Sequence, residues 1–191
     1  MNGEGHPQPR GDVAVASQTG AAFNQVLDRA WDRTLKAMEN GSVEFHTEGD
    51  LRAYLYHECA RQLEEHGYSS PLPLHAESTI GRSKADLTLG ADREVVVELK
   101  YEPYTSENGS LFVFEREGSH NIEKDVKKLR TYAAGGRVAH LIVVEKRYRD
   151  GAVYFPDLTA KLGIPRARWT VGDRYAWTHL VTQPPQQGRG L

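Results

Sequence analysis

Apolar residues recur at helical spacing in the first third of the chain. Within residues 21–39 they lie three and four positions apart, at Phe23, Val26, Leu27, Ala30, Trp31, Leu35 and Met38. This period is typical of an amphipathic helix. A second helix is predicted from about Glu48 to His66, because Thr47 and Asp50 have the spacing of a capping box.

After Pro71 the apolar period changes to alternation, which favours β-strands. Three strands are predicted, around residues 72–76, around residues 85–89 and over residues 94–101, with a turn at residues 90–93 between the last two. A helix follows from Ser119, with one apolar stripe formed by Ile122, Val126, Leu129 and Ala133. The remaining predicted elements are a strand at residues 138–145, a short strand at 152–155, a short helix near 157–162 and a terminal strand around 175–181.

This order of elements predicts an α/β fold, with a mixed central β-sheet flanked by helices. The length of 191 residues suits one domain. We expect that domain to span residues 21–182, between a disordered N-terminus, 1–20, rich in Gly, Pro and polar residues, and a disordered tail, 183–191.

Composition narrows the class of protein. Apolar residues make up 39% and charged residues 26%, as in soluble globular proteins. No stretch approaches a membrane span or a secretory signal, so we expect a cytoplasmic location and no membrane partner. The single cysteine, Cys59, excludes an intramolecular disulfide and a cysteine-based metal cluster, and we expect it to pack in the core.

The net charge of -2 excludes bulk attraction to nucleic acid. One local basic segment, residues 124–149, could form a nucleic-acid contact or simply a solvated face. The chain has no GxxxxGK[ST] loop, no G-x-S-x-G elbow and no HExxH spacing, so nucleotide-triphosphate, serine-hydrolase and zincin chemistry are not indicated.

An acid and a lysine interrupt the most apolar of the three strands. Glu98 and Lys100 are two residues apart, so their side chains leave the same face of a sheet. A three-residue loop at 91–93 would place Asp86 directly opposite Glu98, with Cβ atoms roughly 4.5 to 5.5 Å apart. Two carboxylates this close repel unless they share a cation, and oxygen ligands suit Mg²⁺ or Mn²⁺. Lys100 could then orient or deprotonate an attacking water.

The segments Lys84-Ala85-Asp86 and Val96-Val97-Glu98-Leu99-Lys100-Tyr101 resemble the PD-(D/E)XK nuclease superfamily, and residues 121–129 are similar to the helix that follows its metal site. The literal Pro-Asp is absent, because Ala85 precedes Asp86. The resemblance implies a restriction-endonuclease-like core, α-β-β-β-α-β, over about residues 47–155. It also implies a metal-dependent nuclease that acts on nucleic acid, with DNA the expected substrate, Asp86 and Glu98 as metal ligands and Lys100 as the catalytic lysine.

Many members of that superfamily add an acidic ligand from the first core helix. Glu58 is the favoured candidate for this position, with Glu48 and Glu77 as alternatives. Contacts with the nucleic-acid backbone are expected from Lys84, Lys124 and Lys128. A homodimer or a protein partner would also agree with the superfamily.

Two other interpretations of the three residues stay open. Asp86, Glu98 and Lys100 could form a structural ion-pair cluster at a strand hairpin. The chain could also be a catalytically silent, nuclease-like module that binds nucleic acid or protein without cleavage.

Overall fold

The computed structural model describes residues 12–102, 122–146, 166–171 and 174–184. These contain three helices and six strands in the order α1 (Asp12–Glu39), α2 (Glu48–Glu65), β1 (Leu74–Ile80), β2 (Ser83–Leu89), β3 (Val95–Glu102), α3 (Ile122–Ala134), β4 (Val138–Lys146), β5 (Arg166–Val171) and β6 (Tyr175–Thr182). The predicted mixed α/β class is confirmed. The predicted strand at 152–155 and helix at 157–162 lie outside the described residues.

Helix α2 begins where the sequence predicts. The Thr47 hydroxyl accepts a hydrogen bond from the Asp50 amide at 3.1 Å, and the Asp50 carboxylate accepts one from the Thr47 amide at 2.9 Å. This reciprocal capping box satisfies two amides that the first helical turn leaves without a partner. It also fixes the start of the helix, so that Glu48 occupies the first turn.

Helix α1 starts earlier than the sequence analysis predicts. It begins at Asp12 rather than near residue 21. Alanines at positions 14 and 16 have a high helix propensity, which favours this longer helix. The predicted apolar stripe of this helix is buried, with Leu27, Ala30 and Trp31 fully inaccessible.

The six strands form one mixed sheet in the order β1-β2-β3-β4-β6-β5. Only β3 and β4 are parallel, and the chain between them includes α3, as a parallel crossover requires. The remaining neighbours pair antiparallel. Strand β4 lies at the centre and is buried along nearly its whole length, which agrees with its continuous apolar sequence.

Helices cover both faces of this sheet. On one face, α1 and α2 pack against side chains that include Val95, Val97 and Leu99 of β3. On the other face, α3 packs against Val96 and residues of β4. Because side chains alternate along a strand, Glu98 and Lys100 share the face of Val96 and point towards α3.

Strands β1 and β5 depart from the sequence prediction. The pattern placed Ala76 inward on the first strand, but Ala76 is exposed, and Ser78 is buried instead with its hydroxyl 2.9 Å from that of Thr88. Alternation fails because Glu77 adopts a positive φ of 50°. Strand β5 was not predicted, since its arginine-containing sequence lacks an apolar alternation.

A pair of histidines lies buried between β4 and β6. The Nδ1 of His140 and the Nε2 of His179 are 2.9 Å apart, and neither residue is more than 1% exposed. The other ring nitrogen of each has no hydrogen-bond partner among the described residues. Burial lowers the pKa of His140 well below its usual range and that of His179 to about 4, so the folded pair stays neutral.

This neutral pair predicts a loss of stability in mild acid. As the pH falls below about 6.5, the unfolded histidines bind protons that the folded pair does not bind, so the free energy of unfolding decreases. The double variant His140→Leu/His179→Leu lacks both groups, so between pH 7.5 and 4.5 its free energy of unfolding should fall by about 3–5 kcal/mol less than that of the original protein. Urea unfolding across this range measures it, with the exposed His57→Leu as control. Parallel stability profiles for the double variant and the original protein would contradict the prediction.

Candidate active site

Strands β2 and β3 separate part of the way along the sheet. Their pairing runs from Leu89↔Val95 to Leu87↔Val97, whereas β3 continues beside β4 to Glu102. This is the register predicted from the turn, and its next position sets Asp86 opposite Glu98. The connection is longer than the predicted three residues, because Gly90 and Glu94 are not part of the ladder.

The Asp86 carboxylate occupies the point where the two strands separate. Its Oδ2 accepts a hydrogen bond from the Leu99 amide at 2.8 Å, in place of a backbone carbonyl of β2. Its Oδ1 accepts one from the Arg52 guanidinium of α2 at 3.1 Å. The side chain is 14% exposed, so the carboxylate is reachable from solvent at the edge of the split.

The Glu98 carboxylate is deeper in the structure, with the residue only 2% exposed. Its Oε2 accepts a hydrogen bond from the Lys128 ammonium at 3.1 Å and its Oε1 accepts one from the Tyr132 hydroxyl at 3.2 Å. Burial raises the pKa of Glu98 to about 7; the Lys128 charge lowers it, while Asp86 and Asp125 raise it further. Glu98 therefore carries a costly negative charge that an added cation would stabilise.

Lys100 lies between helices α2 and α3. Its Nζ is 3.4 Å from a Glu48 oxygen and 3.6 Å from an Asp125 oxygen. Although burial alone would lower it, the pKa of Lys100 is raised by the carboxylates of Asp125, Glu48 and Asp86. The ammonium is therefore protonated at neutral pH, and in this charge state it can donate hydrogen bonds to a water or a phosphate but cannot accept a proton.

The three acids considered as an additional ligand occupy different places. Glu58 is buried against α2's own Arg61 at 2.6 Å, and it lies ten residues, or roughly 15 Å, further along the helix than Glu48. Glu48 contacts Lys100, and Glu77 joins the cluster indirectly through Arg52 at 3.1 Å. The structure thus brings Glu48, rather than the favoured Glu58, next to Lys100.

Helix α3 contributes a group that the sequence analysis did not assign to the site. Asp125 is 3.2 Å from Lys128, which was predicted to contact nucleic acid, and Tyr132 is the hydroxyl donor to Glu98. A signal was present in the sequence, since Asp125 falls within the apolar stripe between Ile122 and Leu129. An acid on the buried side of a helix needs a partner.

The other two lysines predicted to contact nucleic acid are exposed. Lys84 lies on β2, and its backbone carbonyl oxygen is 3.4 Å from the Tyr132 hydroxyl. Lys124 lies in the first turn of α3. Both belong to the elements that carry the site, while Lys128 is engaged with Glu98 and Asp125.

A divalent cation fits the chemistry of Asp86 and Glu98. Both offer hard oxygen donors, and Mg²⁺ is commonly bound through one or two carboxylates together with several waters. Among the described residues, no group of three or more His, Cys, Asp or Glu side chains is arranged to hold a metal ion. Asp86 and Glu98 would together offer two carboxylates, and a protein cation lies beside each of them, Arg52 beside Asp86 and Lys128 beside Glu98.

Comparison of the chain with protein-family models, curated proteins and solved structures returns no match. Of the helices in the described ranges, none is both long enough and apolar enough to cross a membrane. What the chain does must therefore be inferred from its own residues and their geometry.

The buried charge of Glu98 should make the fold less stable as the pH rises from about 4.5 to about 7. The folded-state pKa of about 7 exceeds the ordinary 4.5, so ionisation costs the folded state more than the unfolded state as the pH rises through this interval. Glu98→Gln removes the ionisation, and its stability relative to the original protein should increase by about 1–3 kcal/mol between pH 5 and pH 8. Chemical denaturation at several pH values measures this, with the exposed Glu64→Gln as control. A stability difference that does not change with pH would refute the explanation.

Proposed function

We propose that the chain is a metal-dependent nuclease of the PD-(D/E)XK type that hydrolyses phosphodiester bonds, with DNA as the expected substrate. One observation carries the proposal. Two adjacent strands bring Asp86 and Glu98 together at a split in the sheet, and Lys100 follows two residues later beside them. The element order from α2 to β4, with three strands, a helix and a parallel strand, supports a restriction-endonuclease-like core.

In the proposed reaction Asp86 and Glu98 would hold Mg²⁺ or Mn²⁺, which would supply Lewis-acid stabilisation of the negative charge that develops on the phosphoryl group. Lys100 donates hydrogen bonds from its ammonium, which orients the attacking water and offsets charge on the phosphate. Glu48 and Asp125 act through Lys100, because their carboxylates hold the ammonium in place and keep it protonated.

A neighbouring set of lysines would contact the polyanion. Lys84 and Lys124 are exposed on β2 and α3, the elements that carry Asp86 and Asp125. Contacts of this kind hold a nucleic acid through its phosphates without sequence preference.

The second candidate is a nuclease-like module that binds nucleic acid or a protein without cleaving. It is favoured by the existing partners of the carboxylates, since both oxygens of Asp86 and both of Glu98 already accept hydrogen bonds from protein donors. A cluster completed in this way also agrees with a purely structural ion-pair network.

Substitution of the two central residues distinguishes these candidates. Asp86→Asn removes a ligand charge and Lys100→Met removes the ammonium, so each should reduce cleavage by at least about 100-fold. Labelled single-stranded, double-stranded and branched DNA, and RNA, are incubated with protein in Mg²⁺, Mn²⁺ or EDTA, and products are separated on denaturing gels. Asp92→Asn and Lys127→Met, both at exposed positions, serve as matched controls.

Each outcome has a distinct meaning. Cleavage that survives in both site variants excludes the assigned residues. Binding without cleavage in any metal supports the silent module. Activity that disappears from both variants while their melting temperatures stay close to the original excludes a purely structural network.

A further inference from the structure

Arg52 reaches the site from the second turn of α2 and contacts two carboxylates at once. Its Nη1 lies 3.1 Å from Asp86 Oδ1, and its Nη2 lies 3.1 Å from Glu77 Oε1. The side chain is 27% exposed, so the contact is shielded from water only in part. A guanidinium is always charged and its planar fork suits two acceptors at the same time.

This contact uses the one Asp86 oxygen that is not bonded to the backbone. Because Oδ2 accepts the Leu99 amide at 2.8 Å, Oδ1 is the oxygen most available to a cation, and Arg52 already lies against it. A divalent ion bound there would face a positive guanidinium within a few ångströms. The two cations would repel each other, so they compete for Asp86.

Arg52 has a second carboxylate partner, so a divalent ion could replace it at Asp86. When Arg52 leaves Asp86 it retains Glu77, whose side chain is 58% exposed. Lys128 has the same arrangement on the other carboxylate, because it contacts both Glu98 and Asp125. Each protein cation can therefore release a candidate metal ligand without becoming an unpaired charge.

The geometry points to Arg52 as a resident counter-ion that competes with the divalent cation for Asp86 and thereby sets the affinity of the site for metal. This inference rests on the proposed metal-dependent function and goes beyond it. Arg52 balances the charge of Asp86 before metal binds. Glu77 on β1 receives the guanidinium when metal binds.

The test measures Mn²⁺ affinity directly by isothermal titration calorimetry at pH 8, with no nucleic acid present. Arg52→Gln should bind Mn²⁺ on the order of tenfold more tightly than the original protein, the fold-change expected when a charged hydrogen bond no longer has to be broken. Arg61→Gln is the matched control on the same helix, since Arg61 pairs with Glu58 and should leave the affinity unchanged.

Glu77→Gln provides a second measurement, in which the Mn²⁺ affinity should change in the opposite direction. It removes the group that receives the displaced guanidinium, so Mn²⁺ should bind several-fold more weakly. If that effect acts through Arg52, it should largely disappear in the double variant Arg52→Gln/Glu77→Gln, where no guanidinium has to move. Because Glu77 is exposed, the single variant Glu77→Gln tests the inference even if Arg52→Gln does not fold.

Three results would overturn the inference. Mn²⁺ binding that is unchanged or weaker in Arg52→Gln would mean that Arg52 positions Asp86 for the metal and does not compete with it. Tighter binding in Arg61→Gln would place the cation at Glu58 instead. No Mn²⁺ binding by the original protein or by any variant would reject the proposed metal dependence itself, whereas the first two results leave that dependence intact.

Discussion

The neutralisation of Asp86 and Glu98 is the constraint on which the rest of the site depends. Both carboxylates belong to a sheet whose two faces are covered by apolar side chains, and burial is the largest contribution to the raised pKa of Glu98. Charge in such a place is tolerated only beside opposite charge. Each helix that borders the site meets this need with one cation, Arg52 from α2 and Lys128 from α3.

Local features of the chain determine where the side chains of Arg52 and Lys128 lie. The capping box at Thr47 fixes the start of α2, and with it the positions of Glu48 and Arg52 one helical turn apart. The parallel pairing of β3 with β4 requires a crossover connection between them. Helix α3 belongs to this connection and packs over Glu98. The separation of β2 from β3 then leaves Asp86 partly exposed, next to strand β3, whose Lys100 contacts both helices.

The strand part of the site could be predicted from the sequence because it depends on short-range geometry. The two-residue period puts Glu98 and Lys100 on one face, and the turn sets the register with Asp86. The helical part depends on how α2 and α3 pack against the sheet. The hydrophobic period within one helix does not predict this packing. The apolar pattern of α2 favours Glu58, which pairs with Arg61, whereas the docking of the helix sets Glu48 in its first turn beside Lys100.

The irregular backbone at Glu77 has a consequence for how molecules of this chain meet one another. Strand β1 forms one margin of the sheet, and its outer backbone groups could template a strand from a second molecule. The positive φ of 50° at Glu77 interrupts that margin in the middle, and its charge stands beside the break. An incoming strand would find two short runs on which to pair, and an interruption of this kind is one of the features by which natural edge strands avoid edge-to-edge aggregation.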